Sequence, residues 1–137
     1  MEILNYKKII EQEFEKEKEI RFKVKNYDAV IKIKKIDLLT RNKIEKLKLI
    51  GVINVYDYDY NETGDIILKS AKTEITEKNL ESDNKILSLL LNSIIYQNLK
   101  PGNMDLKDWL EFGTYFKKEF DYIINEIQEF NGLKKNI

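Results

Sequence analysis

The fold is decided near the carboxyl end, where residues 113–132 have the sequence GTYFKKEFDYIINEIQEFNG. Apolar side chains recur there at steps of three and four, which aligns them on one face of a helix: Phe116, Phe120, Ile123, Ile127 and Phe130. Gly113 and Thr114 precede this stripe, and Thr is a suitable N-cap, so they predict the start of the helix. Asn131-Gly132 predicts its end.

Two further helices are predicted before this one. Residues 84–99 are apolar nearly all round, which is typical of a central helix buried on several sides: Ile86, Leu87, Leu89, Leu90, Leu91, Ile94 and Ile95. Pro101-Gly102 ends that helix, and Asp105 with Asp108 forms a capping-box-like start to the next. Residues 84–133 therefore predict a carboxyl-terminal unit of three helices.

The first half of the chain contains runs with a period of two. Apolar and charged residues alternate on both sides of a turn at residues 26–28, which predicts a β-hairpin with one buried face: Ile20, Phe22 and Val24, then Ala29, Ile31 and Ile33. The Lys and Arg on the opposite face either guard a sheet edge or form a surface for an anionic ligand. A helix is predicted from Arg41 to Ile50.

The middle of the chain is less regular. Residues 52–69 predict a second hairpin, or in part an ordered loop, and residues 70–83 predict a loop with one helical turn. In residues 1–18, four apolar residues at helical spacing predict an amphipathic helix: Ile3, Tyr6, Ile10 and Phe14. This spacing favours a helix with one face docked on the core, and an arm that meets a partner is the alternative.

These elements predict an α+β fold in which a small antiparallel β-hairpin sheet packs with the carboxyl-terminal three-helix unit. A chain of 137 residues is expected to form one domain and can bury a core without disulfides or metals. That domain, residues 1–137, would comprise the amino-terminal helix (1–18), a hairpin-rich part (19–69) and the helical unit (84–133).

Composition restricts the chemistry that this chain can perform. It has no Cys and no His, so it lacks thiol chemistry and the commonest metal ligand. No glycine-rich phosphate loop and no nucleophile-base motif is present. We therefore expect a non-enzymatic protein with no catalytic residues, no cofactor and no metal.

Charge and hydropathy restrict the partners. The chain has 24 Lys and Arg residues and 24 Asp and Glu residues. Proteins that bind nucleic acids usually have an excess of basic residues, so this balance argues against a nucleic-acid partner. The amino terminus does not resemble a signal peptide, and the longest apolar stretch, residues 86–95, is too short to span a bilayer. We expect no membrane association and a cytoplasmic location.

One pattern resembles a metal site. Asp57-x-Asp59-x-Asn61 matches the first half of a calcium-binding loop, whose oxygen ligands occupy alternate positions. Glu62 then stands where the loop needs Gly, and Leu68 stands where it needs a bidentate Glu. The pattern therefore favours the exposed face of a strand over a metal site.

Two groups of aromatic residues are candidates for binding a partner. Tyr56, Tyr58 and Tyr60 would lie on one side of a strand, as a half-buried sheet face, a protein interface or a surface that stacks bases. Trp109, Phe112 and Tyr115 cluster in the helical unit, where they either form its core or, if exposed, anchor a protein partner. These six residues are the predicted partner-binding residues.

The order of elements resembles that of the tail assembly chaperones of long-tailed phages and related contractile particles. The resemblance covers residues 19–51 and 84–133. It rests on the basic hairpin leading into a helix, on the apolar helix followed by Pro101, and on two carboxyl-terminal segments, LKDWLEFG at 106–113 and IQEFNGL at 127–133.

The resemblance implies a chaperone that binds the long, helical, aggregation-prone tape-measure protein and helps tube subunits polymerise around it. Size, an AT-rich type of composition and the lack of catalytic motifs leave a second hypothesis, a small phage or mobile-element inhibitor of a host defence system, similar to anti-CRISPR proteins. The expected partner is accordingly another protein, either a tape-measure protein or a host defence protein. Self-association into an oligomer stays open.

Overall fold

The computed structural model describes residues 2–49, 52–75 and 77–133. This part of the chain has the predicted α+β fold, with five helices and five strands in two antiparallel sheets, ordered β1-β2-β5 and β3-β4. The elements are α1 (Tyr6–Glu13), β1 (Glu17–Val24), β2 (Tyr27–Lys34), α2 (Leu38–Leu47), β3 (Val52–Tyr60), β4 (Ile66–Ile75), α3 (Glu77–Leu91), β5 (Ile94–Gln97), α4 (Leu106–Tyr115) and α5 (Lys117–Phe130).

The chain divides into two compact units. Unit 1 comprises the residues up to Asp37 and those from Ser88 onward, and unit 2 comprises Leu38–Leu87. Unit 1 contains the three-stranded sheet with α4 and α5, and unit 2 contains α2 and the β3-β4 hairpin. Compactness does not measure whether two units unfold together, so one domain over residues 1–137 stays a prediction.

The three-stranded sheet of unit 1 has an apolar inner face. Its register pairs Ile20 with Ile31 and Phe22 with Ala29, and because directly opposed residues share a face, the predicted alternation is confirmed. Ile31 and Ile33 on the central strand are fully buried. The predicted turn is shifted by one residue, to Lys25-Asn26, where Lys25 has a positive φ of 57°.

The outer face of this sheet carries charges of both signs. Glu17 lies opposite Lys34 and Glu19 lies opposite Lys32. Near the turn, Lys23 forms an ion pair with Asp28 at 3.4 Å. Opposite charges on facing strands stabilise a sheet, and charged side chains on an edge strand such as β1 discourage pairing with other chains. This balance favours the edge-guard interpretation over an anionic-ligand surface.

Helix α5 covers the inner face through the predicted stripe. Ile123 and Ile127 are fully buried. The Tyr122 ring contacts that of Phe22 edge-on at 6.0 Å, and the Lys18 ammonium donates to Glu126 at 2.7 Å. That hydrogen bond is the largest cause of a raised pKa of Lys18. The helix therefore lies against β1.

The predicted end of α5 at Asn131-Gly132 is confirmed. Gly132 has a φ of 63°, its N–H donates to the Glu129 carbonyl at 3.1 Å, and the Leu133 N–H donates to the Gln128 carbonyl at 2.9 Å. These two bonds form a Schellman motif, in which a glycine tolerates the left-handed conformation. Leu133, which follows the glycine, is buried.

The start of α5 differs from the prediction. Gly113 and Thr114 belong to α4, and the N-cap of α5 is Phe116, which has no side-chain capping bond. A Cβ atom on Gly113 would lie 3.1 Å from the Phe120 ring, so this glycine allows α4 and α5 to approach closely and does not end a helix. The capping box of Asp105 and Asp108 at the start of α4 is confirmed.

The predicted helix over residues 84–99 is wrong in its second half. Helix α3 ends at Leu91, and Ile94–Gln97 forms β5, which pairs with β2. Ser93 makes the turn, since its hydroxyl donates to the Leu90 carbonyl at 2.6 Å while its own carbonyl accepts from the Lys34 N–H at 2.9 Å. Ile94, Ile95 and Tyr96 are β-branched or aromatic and favour a strand, so pairing with the edge of β2 stabilises this segment more than continuation of the helix would.

Other boundaries also differ. The second hairpin is confirmed, but β4 continues to Ile75 and α3 begins at Glu77, so the loop predicted over residues 70–83 is wrong. The amino-terminal helix is shorter than residues 1–18, and α2 begins earlier than the predicted Arg41. Helix α2 ends at Leu47, and Ile50, its predicted last residue, lies outside the described residues. None of the described helices is long and apolar enough to cross a membrane.

We expect Asn131→Ala to destabilise the protein by about 1–3 kcal/mol. The Asn131 carboxamide is buried, accepts from the Ile36 N–H at 2.7 Å and donates to the Ile127 carbonyl at 2.8 Å. Its removal leaves the Ile36 N–H without this acceptor. Urea unfolding measures the loss, and Asn125→Ala, at an exposed position of the same helix, is the control. Equal stability of both variants would contradict this role.

A single domain predicts that the two units unfold together. The only tryptophan in the sequence, Trp109, belongs to unit 1, so its fluorescence reports on that unit while far-UV circular dichroism reports on all helices and strands. We expect the two signals to give the same urea midpoint. Separate midpoints would show that unit 2 unfolds independently.

Candidate protein-binding surfaces

Helix α4 carries two aromatic rings of a row, and the third belongs to Phe116, the residue that follows the helix. Steps of three and four residues place Trp109, Phe112 and Phe116 on one side of the helix. The Trp109 and Phe112 rings meet edge-on at 6.0 Å, and the Phe112 and Phe116 rings are tilted at 5.2 Å. Trp109 is only 3% exposed, whereas Phe112 and Phe116 are half-buried. The row therefore runs from the core to the surface.

The exposed end of this row lines an open groove, which we call the α4 groove. It consists of two neighbouring clefts, of about 480 and 260 Å³, that share Leu99, Phe112 and Phe116 as walls. The larger cleft is completed by residues of the β1-β2 hairpin and the smaller by residues around α4: Val24, Tyr27 and Ala29 in the first, Met104 and Tyr115 in the second. Tyr115, 77% exposed, stands at the rim.

The loop that forms one wall of the groove is held by two amides. The Gln97 side chain donates to the Lys100 and Gly102 carbonyls at 3.0 and 2.8 Å and accepts from the Leu99 and Lys100 N–H groups at 2.6 and 2.9 Å. Asn98 accepts from the Val30 N–H at 2.8 Å, which ties the loop to β2. Leu99 is therefore fixed against the sheet before any partner arrives.

An ion pair borders the smaller cleft. The Lys100 ammonium donates to the Asp108 carboxylate at 2.8 Å, and this bond lowers the pKa of Asp108 and raises the pKa of Lys100. The Asp105 N–H also donates to Asp108, at 3.1 Å, and contributes to the lowering. Both shifts move the pKa away from neutrality, so the two groups stay charged at neutral pH.

The far end of the β3-β4 hairpin carries a second apolar surface. The register pairs Tyr58 with Leu68 and Tyr60 with Ile66, so these four side chains share one face. Tyr58 is 58% and Tyr60 69% exposed, and Ile66 and Leu68 are exposed as well. We call these four residues the tip patch. The side chain of Tyr56, predicted to belong to the same row, lies outside the described part of the chain.

The turn behind the tip patch is fixed by Asn61. Its carboxamide oxygen accepts from the N–H groups of Thr63 and Asp65, at 3.0 and 2.9 Å, and from the Thr63 hydroxyl at 2.7 Å. Gly64, with a φ of 86°, supplies the left-handed residue that the turn requires. These bonds hold the ends of β3 and β4 in register.

The same bonds account for the calcium-like pattern. Asn61 uses its oxygen on the turn, Asp59 accepts from the Tyr60 N–H at 2.8 Å, and Asp57 accepts from the Ser70 hydroxyl at 3.4 Å. These residues lie along a strand and its turn and do not encircle a common point. In the described ranges, no group of three or more His, Cys, Asp or Glu residues could hold a metal ion.

A third apolar surface lies on helix α1. The stripe residues Tyr6, Ile10 and Phe14 are all exposed, and no residue of α1 is buried. Asn5 caps the helix by accepting from the Lys8 N–H at 3.3 Å. The expectation that this helix docks on the core is therefore wrong, and the alternative of an arm that meets a partner is favoured.

The predicted partner-binding residues separate into buried and exposed ones. Trp109 is part of the core, Phe112 forms a groove wall, and Tyr115, Tyr58 and Tyr60 are exposed. Sequence reasoning missed Leu99 and Phe116 in the groove and Ile66 and Leu68 in the tip patch. The hairpin register would have found the last two, because it places them opposite the tyrosines.

Comparison with family models, with curated proteins and with solved structures gave no match for this chain.

The Lys100–Asp108 pair makes stability depend on pH. Folding lowers the pKa of Asp108. The carboxylate therefore stabilises the folded protein fully above its unfolded pKa of about 3.9, and this stabilisation disappears as the pH falls through its pKa in the folded protein. We expect Asp108→Asn to lower the urea midpoint near pH 6 and to match the original protein near pH 2. A difference that is independent of pH would contradict the ionic origin.

Proposed function

We propose that this chain is a non-catalytic protein-binding protein that acts as an assembly chaperone for a long helical polypeptide. The α4 groove is the observation that carries the proposal. Its walls are the apolar side chains of Leu99, Phe112 and Phe116, and Tyr115 stands exposed beside them. Large aromatic side chains at such positions are enriched among the residues that anchor protein interfaces.

The shape of the groove favours a helix as its occupant. The two clefts adjoin through the shared apolar walls Leu99, Phe112 and Phe116, and charged side chains such as Lys100, Asp108 and Glu111 line the smaller cleft beside them. An amphipathic helix presents side chains three and four residues apart and inserts them into such grooves.

Rigidity of the groove supports binding. The Gln97 carboxamide makes four hydrogen bonds within the loop that carries Leu99, and Gly113 permits the close packing of α4 on α5. A surface that is already ordered loses less conformational entropy when a partner binds. The groove is therefore suited to capture a helix without first rearranging.

The chemistry of the described residues favours binding over catalysis. The shifted pKa values of Lys18, Lys100 and Asp108 all arise from ion pairs and move away from neutrality. A general acid or base works best with a pKa near the operating pH, and His, the residue that most often has one, does not occur in this sequence. Lys100 and Asp108 instead contribute fixed charge at the α4 groove.

The class of client follows from the resemblance to tail assembly chaperones. A tape-measure protein is long and helical, and its repeated apolar stripes would aggregate unless covered. The α4 groove offers cover for one stripe, and the exposed face of α1, with Tyr6, Ile10 and Phe14, offers a second apolar contact. Two contacts on one client raise avidity when the client spans both of them.

We expect Tyr115→Ser to weaken helix binding about tenfold, since loss of an exposed aromatic anchor typically costs more than about 1 kcal/mol. The probe is a fluorescein-labelled synthetic helix with a Leu stripe and equal numbers of Lys and Glu, titrated by fluorescence anisotropy. Tyr115 is 77% exposed and contributes little buried surface to the fold, so the variant should keep its circular dichroism spectrum.

Tyr96→Ser is the matched control. Tyr96 is also exposed, but it lies on β5 and lines neither cleft of the α4 groove. We expect its affinity to stay within twofold of that of the original protein. The chaperone role is tested by light scattering of an aggregating tape-measure protein. We expect an equimolar amount of the original protein to suppress the aggregation, and the Tyr115→Ser variant to suppress it less. Absence of helix binding, or equal losses in both variants, contradicts the proposal.

A further inference from the structure

We propose that the tip patch is a separate docking site, which binds an apolar helical stripe bordered by Lys and Arg on a partner protein. This site lies in unit 2, whereas the α4 groove lies in unit 1. The inference therefore does not depend on the proposed chaperone function. It assigns a role to the tyrosines of the 57–68 segment, which the groove does not use.

The tip patch is a contiguous group of exposed apolar side chains. Two tyrosines and two aliphatic residues stand together on one face of a two-stranded sheet, and all four are exposed. Isolated surface apolar residues are common, but contiguous patches mark interaction sites. Tyr58 and Tyr60 each combine an apolar ring with a hydroxyl, which suits a contact that is partly wet.

Charge around the patch defines the partner. Residues 57–68 contain four carboxylates and no Lys or Arg: Asp57, Asp59, Glu62 and Asp65. The first basic residue beyond them is Lys69. The two faces of one sheet are separated by less than the roughly 10 Å that lies between two packed sheets. This separation is comparable with the Debye length of about 8 Å at physiological ionic strength. Carboxylates on either face of the hairpin therefore act on a docked partner.

This charge selects against the other occupants. Phosphate groups of a nucleic acid or of an anionic membrane would be repelled by the carboxylates. A second copy docked tip to tip would bring the same carboxylates together. An apolar helical stripe edged by basic residues contacts the apolar face and also neutralises the acidic surroundings, and such complementarity accelerates association.

The hairpin end is ordered before binding. Three donors converge on the Asn61 carboxamide oxygen, and the Asn61 N–H donates to the Asp65 carbonyl at 3.0 Å. The bulge between Asp57 and Tyr58 increases the local twist and sets the end of the hairpin off from the rest of the ribbon. The patch therefore adjoins a turn that is already ordered.

The experiment uses two labelled synthetic helices with the same Leu and Phe stripe, one flanked by Lys and Arg and the other by Glu. Both are titrated by fluorescence anisotropy into the full chain carrying Tyr115→Ser, so that the α4 groove contributes little. We expect the basic helix to bind at least tenfold more tightly than the acidic one. Its affinity should fall as NaCl is raised.

Variants in the same background locate the site. Tyr60→Ser should weaken the basic helix at least tenfold, Glu62→Gln should reduce the salt dependence, and Tyr96→Ser should change affinity less than twofold. Equal binding of the two helices, no binding of either up to about 100 μM, or no effect of Tyr60→Ser overturns the proposal. So does sedimentation showing a dimer that Tyr60→Ser dissociates, because the occupant would then be a second copy.

Discussion

Burial of isoleucine between one sheet and one helix is the constraint on which unit 1 depends. Ile31 and Ile33 on β2 and Ile123 and Ile127 on α5 are fully buried, and each buried side chain of this size contributes about 1.5–3 kcal/mol. The Schellman motif at Gly132 and the Asn131 carboxamide fix the end of α5 beside the exit of β2. Helix α4 then packs closely on α5, because Gly113 has no Cβ atom that would meet the Phe120 ring.

Sequence periodicity predicted the elements that have one buried face. The stripe of α5 and the alternation of β1 and β2 are complete within single segments, so a 3.6 or a 2.0 period identifies them. The segment that became β5 is different, because Ile94–Gln97 is short and apolar and takes its conformation from pairing with β2. A long-range partner of this kind leaves no local signal, and the same segment extends an apolar helical run.

The candidate surfaces were predicted in part. Composition identified the aromatic groups, but it could not separate Trp109, which the core covers, from Tyr115, which it leaves exposed. Helical geometry contains that information, since Phe112 and Phe116 lie on the same side as Trp109 and Tyr115 lies beside them. The four hydrogen bonds of the Gln97 carboxamide could not be predicted, because they depend on the path of a loop that the sequence does not specify.

A rigid scaffold that leaves aromatic side chains uncovered is the physical basis of the proposed role. The most direct test is a nuclear magnetic resonance titration of the isotope-labelled chain with a neutral, Leu-striped synthetic helix. The account predicts that amide shifts concentrate at Leu99, Phe112, Tyr115 and Phe116, which surround the groove. Shifts confined to the charged outer face of the sheet, or no shifts at a saturating concentration, would contradict it.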